Sequence, residues 1–151
     1  MSHELLAMGY GMGCELIANN QQQKGITMSD NQRNFKDLRI WQDSMDLAVK
    51  VFKMTEQLPR QEIHGLSSQI RRSAVSVPSN IAEGWGRKRD KEFYRFLDIA
   101  YGSLCELETQ LELAKCCYAI EVNDMQAQCE SIQKQIGALR KTIMNQNQGS
   151  L

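Results

Sequence analysis

The sequence predicts an all-α protein, an antiparallel up-down-up-down four-helix bundle, on three observations. Apolar residues recur at three- and four-residue spacing in four successive segments, each long enough to form a helix. Breaks at Pro59, at Gly84 to Gly86 and between Tyr118 and Asn123 separate the segments, so successive helices fold back on one another instead of forming a continuous rod. The chain is rich in Leu, Ala, Gln, Glu, Lys and Met but has only two prolines and four phenylalanines, a supply that favours helix over strand.

The first helix is expected from about Asp37 to Leu58, ended by Pro59, whose ring disfavours helical geometry in the residue before it. Its apolar residues fall in two rows, Leu38, Trp41, Met45, Ala48, Phe52 and Ile40, Leu47, Val51, Met54, Leu58. Together they cover about half the circumference, more than one buried face requires. Contact with more than one layer of neighbours follows. The second helix is expected over about Gln61 to Glu83, on Ile63, Leu66, Ile70, Ala74, Val77 and Ile81. Pro78 sits inside that pattern and predicts a kink, with Ser73, Ser76 and Ser79 placed to bond the carbonyls it frees. Gly84 and Gly86 then read as the helix stop, glycine being at ease in a left-handed cap.

The third helix carries the plainest signal. After Asp90 as N-cap, Phe93, Leu97, Ala100, Leu104, Leu107, Leu111, Ala114 and Tyr118 follow in an unbroken alternation of four and three, a heptad seam. The fourth opens on Asn123 with Gln126 three residues later, the pattern of a capping box. It continues through Met125, Cys129, Ile132, Ile136, Leu139 and Ile143 as one narrow seam. The bundle thus occupies residues 35–146, between a flexible N-terminal tail over 1–34 and a short C-terminal tail over 147–151. Met28 opens a Met-Ser-Asp run just ahead of the first periodic segment and reads as an alternative start, which would leave residues 1–27 outside the native protein.

A chain of 151 residues fits one domain and can bury a core without disulfides or metal. Five cysteines, an odd number with no Cys-x-x-Cys pair, read as buried free thiols in a reducing cytoplasm, with Cys105 and Cys129 on apolar stripes. His3 and His64 are isolated from any ligand cluster, so neither a metal nor another cofactor is expected. The N-terminus lacks a signal-peptide pattern and no run of apolar residues is long enough to span a membrane. A cytoplasmic protein with no membrane partner is the expectation. No nucleophile with a base, no inward carboxylate pair and no Glu-x-x-His pair is present, and Glu106, Glu108 and Glu112 lie off the seam. A catalyst is not expected.

The formal net charge of zero conceals a division. From Arg60 to Lys91 there are seven Lys or Arg against three Asp or Glu, a net of +4, whereas Asp98 to Glu130 has one Lys against seven acids, a net of −6. Such opposition suits either contacts between subunits or a basic surface on an acidic body. The candidate binding residues are Arg71, Arg72, Arg87, Lys88, Arg89 and Lys91. Arginine forks suit phosphate oxygens, and three consecutive cations beside the N-terminus of the third helix share its favourable dipole for an anion. Trp85 and Tyr94 nearby would stack on bases if exposed. The same cations would serve equally as partners for acids of a neighbouring subunit, or stay in water. Trp41, on a core row, reads as packing, and Trp85, in a glycine-flanked turn, as a lid on the bundle end in preference to an interface anchor.

Three stretches carry a family resemblance: Phe35-Lys-Asp-Leu-Arg-Ile-Trp-Gln-Asp, the long run from Gln69 to Arg87 (Gln-Ile-Arg-Arg-Ser-Ala-Val-Ser-Val-Pro-Ser-Asn-Ile-Ala-Glu-Gly-Trp-Gly-Arg), and Glu92-Phe-Tyr-Arg-Phe-Leu with Ser103-Leu-Cys-Glu-Leu-Glu-Thr-Gln-Leu. They resemble the bacterial four-helix-bundle proteins encoded by intervening sequences of 23S rRNA genes, the S23-type proteins, over roughly residues 35 to 145. The resemblance implies a homo-oligomer, a homopentameric barrel. It extends to the accessory variability determinant of diversity-generating retroelements, which binds nucleic acid and a reverse transcriptase through basic surface residues. RNA or DNA, or a protein such as a reverse transcriptase, is therefore the expected partner, and the resemblance carries no catalytic residue across. Two functions compete: a nucleic-acid-binding oligomer, and a protein-protein interaction scaffold with no nucleic-acid ligand.

Overall fold

The computed structural model describes residues 34–148 and contains four long helices: α1 Arg39–Thr55, α2 Leu66–Gly86, α3 Asp90–Tyr118 and α4 Asn123–Gln148. The expected flexible tail ahead of Asn34, the alternative start at Met28, and Cys14 lie outside the described residues. Two of the residues assigned to a C-terminal tail, 147 and 148, continue α4.

Cross-links between helices fix the topology. Along α4, Asp124 pairs with Lys50 of α1 (2.8 Å) and Gln135 further on bonds Asp43 (2.7 Å). Against α3, Gln126 bonds Glu112 (2.8 Å), Gln133 bonds Glu108 (2.6 Å) and Arg140 bonds Tyr94 (3.1 Å). Partner numbers fall as α4 advances, so α4 runs antiparallel to both neighbours. In the same sense Arg71 of α2 meets Thr55 of α1, and Ser73 and Ser76 of α2 meet Gln110 and Ser103 of α3. The arrangement is the antiparallel up-down-up-down bundle that the spacing predicts, with α2 and α3 the most extensively packed pair.

The core is the expected set of seams brought together. Leu97, Ala100, Leu104, Leu107, Leu111 and Ala114 of α3 are fully buried, as are Ile70 and Ile81 of α2 and Cys129, Ile132 and Ile136 of α4. Each such Leu or Ile contributes roughly 1.5–3 kcal/mol on leaving water. Ile120 and Val122 in the α3–α4 connection are also buried, a contribution that helix periodicity could not foresee. The wide arc of α1 is only partly covered: its Ile40–Val51 row is buried, Trp41 and Met45 are half-buried, and Phe52 is exposed. Trp41 nonetheless packs against the core and meets Phe35 edge-on, 5.3 Å between centroids.

Helix ends depart from the sequence reading in instructive ways. A 3-10 turn at Phe35–Asp37, closed by reciprocal Asn34 and Asp37 side-chain bonds, precedes α1. α1 stops at Thr55, three residues short of Leu58, because Pro59 has no amide to continue the ladder and crowds the residue before it. Residues Arg60–Ile63 form a 3-10 turn instead of opening α2, and Ile63 is exposed rather than core. The Glu62 carboxylate accepts from the Leu66 amide (2.8 Å), which starts α2 there.

α2 then runs unbroken through the buried Pro78 and through Gly84 to Gly86. Ser73 and Ser76 direct their hydroxyls across to α3 rather than to the Ala74 carbonyl freed by Pro78. Neither Gly84 nor Gly86 is left-handed, and the chain reverses at Lys88, whose φ is +53°. Gly84 is needed for close approach, since a Cβ there would lie 2.6 Å from Cβ of Phe96. At α3, Arg89 is the extended N-cap and Asp90 the first helical residue, where its charge suits the helix dipole. The capping box expected at α4 is replaced by other partners: the Glu121 carboxylate accepts from the Asn123 amide (2.8 Å), and the Gln126 side chain donates to Glu112.

The hydroxyl of Tyr118, at the last turn of α3, donates to Glu62 and so ties the α1–α2 connection to the opposite strut of the bundle. That bond first, and the Leu66 amide second, hold the Glu62 carboxyl below its ordinary range. A group whose folded pKa is depressed contributes stability above its unfolded pKa, and loses it as pH falls through the folded one. Glu62→Gln is therefore expected to lower the melting temperature at pH 7 and to matter less near pH 3. Parallel melts at the two values check this, and an equal loss at both would refute the ionic contribution.

Candidate nucleic-acid interface

The connection between α2 and α3 is three residues long, and its backbone sets out the cations. Arg87 retains helical geometry, Lys88 flips to the left-handed region, and Arg89 is extended at φ −134° before α3 begins. Arg87, Lys88, Arg89 and Lys91 therefore stand together at one end of the bundle, all exposed. They differ in freedom. The Arg87 guanidinium pairs with Glu83 one turn back and lies 5.6 Å over the Phe96 ring. Among the described residues Lys88, Arg89 and Lys91 form no ion pair. The α3 N-cap makes no side-chain hydrogen bond, so the positive end of the helix dipole lies uncapped beside these cations. Asp90 and Glu92 in the same turn offset part of the positive field.

The other two residues of the predicted set are elsewhere. Because α2 is unbroken, Arg71 and Arg72 precede its end by roughly 22 Å of axial rise. Arg71 is moreover engaged: its Nε donates to the Thr55 hydroxyl at 2.7 Å and its guanidinium lies 5.0 Å over the Phe52 ring. It joins α1 to α2. Arg72 is exposed on the outer face. The six residues thus form a four-residue turn and a separate pair, not one surface.

The aromatics expected to stack on bases are not open platforms. Trp85 is half-buried against the core and meets Phe93 edge-on at 5.7 Å, as suits a lid on the bundle end. Tyr94 is half-buried, and its ring is covered by the Arg140 guanidinium at 4.9 Å. Arg140 also pairs with Asp98 (2.9 Å), and the Tyr94 bond, then Asp98, hold its proton more firmly than usual. Arg140 and Lys141 escaped the sequence reading because they lie far along the chain on a mostly polar helix. The antiparallel topology was the signal that would have placed the end of the fourth helix beside the start of the third.

The acids and thiols settle into simpler roles. Glu108 and Glu112 accept amide bonds from Gln133 and Gln126, and Glu106 accepts from Gln110, so the acidic residues of α3 help fasten neighbouring side chains. Cys129 is buried as expected, its thiol pushed up to about 12, mainly by burial. Cys105, Cys116 and Cys117 are exposed, contrary to the expectation of buried thiols: the apolar stripe of α3 passes through Leu104 and Leu107, and Cys105 points away from it. Among the described residues no group of three His, Cys, Asp or Glu is arranged to hold a metal ion, and no helix is long and apolar enough to cross a membrane.

Comparison with known proteins gives a family match and similar solved structures. The family described as 23S rRNA-intervening sequence protein matches residues 36–138. Among solved structures, the 1.70 Å crystal structure of a protein of unknown function from the S23 ribosomal protein family of Bacteroides thetaiotaomicron VPI-5482 is similar. Sequence identity is 25%, the TM-score is 0.62, and the match covers 68% of this chain and 95% of that one. No curated protein matches the sequence.

Proposed function

The chain belongs to the 23S rRNA-intervening sequence protein family, and from that premise we propose that it is a binding protein, not a catalyst, whose α2–α3 turn contacts the phosphates of RNA or DNA. The observation that carries this reading is the exposure of Lys88, Arg89 and Lys91 beside the start of α3, with no acid paired to any of them among the described residues. Cations left without protein partners at a helix N-terminus match the demands of a polyanion.

A second reading, an interaction scaffold that self-associates as the family resemblance implies, is favoured by a different observation. Phe52, Val75 and Ile99 are exposed on three adjacent helices. Val75 lies on α2 beside Ser76, which bonds Ser103 one turn from Ile99, while Phe52 lies under Arg71.

Two sets of substitutions separate the readings. Binding of labelled RNA and DNA oligonucleotides is measured from low to moderate salt for the natural sequence and for Arg87→Gln, Lys88→Gln, Arg89→Gln combined. Phosphate contact predicts affinity falling steeply with salt, and a slope shallower by about two to three in the triple variant. Light scattering should find the particle mass unchanged by the three cation substitutions under that reading, and reduced by Phe52→Gln, Val75→Gln, Ile99→Gln combined under the scaffold reading. No binding at low salt, or binding indifferent to the three substitutions, rejects phosphate contact at this turn; a strictly monomeric particle rejects the scaffold.

A further inference from the structure

An open cleft of about 350 Å³ lies between α3 and α4, lined by Tyr94, Gly137, Arg140, Lys141, Met144 and Asn145. Its α4 wall is a single stripe, because residues three and four apart share a helix face. The guanidinium of Arg140 is fixed in orientation by the Tyr94 ring beneath it, and by bonds from Nη2 to the Tyr94 hydroxyl and to Asp98. Its Nε is buried without a hydrogen-bond partner. Lys141 makes no ion pair among the described residues, so its charge is uncompensated where Asp98 offsets that of Arg140. The floor is apolar and open: Met144 is 48% exposed, and a Cβ on Gly137 would meet nothing within 4 Å. Lys91 stands three residues before Tyr94 on α3, one helical turn, so the cleft continues the basic turn rather than lying apart from it.

We propose that this cleft receives one unpaired base of a single-stranded nucleic acid. The flat ring lies against Met144 and the Tyr94–Arg140 stack, with Asn145 at its edge. The attached phosphate meets Lys141, and the neighbouring phosphates run to Lys91 and Arg89. A planar cation held on an aromatic ring is a stacking surface for a heterocycle, and a base inside a duplex, covered above and below, cannot reach it. The inference rests on the phosphate-contact reading and adds to it a preference for single strands.

Gly137→Leu tests it. The new side chain fills the cleft, yet it occupies open space on a helix where leucine is a better helix former than glycine, so folding is preserved and circular dichroism verifies it. Affinity for a short single-stranded oligonucleotide is expected to fall on the order of tenfold, while affinity for a duplex of the same length and at the same salt stays the same. An oligonucleotide carrying 4-thiouridine should cross-link to Tyr94 or Met144 in the natural sequence and lose that cross-link in Gly137→Leu. Unchanged single-strand affinity in the variant, with salt-dependent binding by the natural sequence, overturns the cleft and leaves the turn standing. Failure of the natural sequence to bind any oligonucleotide at low salt overturns both.

Discussion

Leu104→Ala is expected to lower the free energy of unfolding by about 3–5 kcal/mol. Leu104 has no exposed surface and sits near the middle of the α3 seam, where α2 packs on one side and α4 on the other. Truncation removes the transfer energy of three carbons and leaves a void. The cavity cannot readily collapse, because the α2–α3 pair is already pinned at the same level by the Ser76–Ser103 contact at 2.8 Å. Urea denaturation followed by circular dichroism reads the loss, and a change under 1 kcal/mol would mean that the seam is not the core.

Gly84→Ala should also destabilise, by about 1–3 kcal/mol, although alanine is normally the better residue inside a helix by about 1 kcal/mol. The sign reverses because an added Cβ would lie 2.6 Å from Cβ and 3.2 Å from Cγ of Phe96, and 2.9 Å from Cδ2 of Phe93. Neither ring has room to yield freely. Phe93 is edge-on to Trp85, and Phe96 carries the Arg87 guanidinium. Separating α2 from α3 here would move the base of the basic turn, so the variant should lose nucleic-acid affinity together with stability. Thermal melts and the salt-dependent binding assay check the two effects on one sample, and a neutral or stabilising result would refute the close packing.

Much of the fold was legible in the residues because its cause is local. The alternating four-and-three spacing of α3 placed Phe93 through Ala114 inward, and burial agrees at each of those seam positions; the exception is Tyr118, which reaches Glu62 instead. What the spacing could not convey is where backbone hydrogen bonding ends. Ile63 fits the helical pattern of α2, but Glu62 captures the Leu66 amide and starts the helix after it. Gly84 looked like a terminator because glycine serves both as a cap and as a point of close approach, and only the neighbouring rings decide which.

The candidate site was legible in part, for a related reason. Arg87 to Lys91 are neighbours in the chain and remain neighbours in space. Arg71 and Arg72 share their charge but not their location, since an unbroken helix intervenes, and Arg71 is occupied by Thr55 and Phe52. Arg140 joins the same end of the bundle from a distant part of the chain, which charge counting along the sequence could not reveal.

The two polar pairs between α2 and α3 act as index marks for how far one helix may slide along the other. Displacing α2 by a single turn would set the Ser73 hydroxyl against Leu107 or Ala114 and strand the Gln110 amide oxygen in the interior, at a cost of about 1–3 kcal/mol for the orphaned acceptor. Leucines repeated at heptad intervals would tolerate such a shift. It is the serines that single out one axial alignment, and with it the level at which the α2–α3 reversal presents its charges.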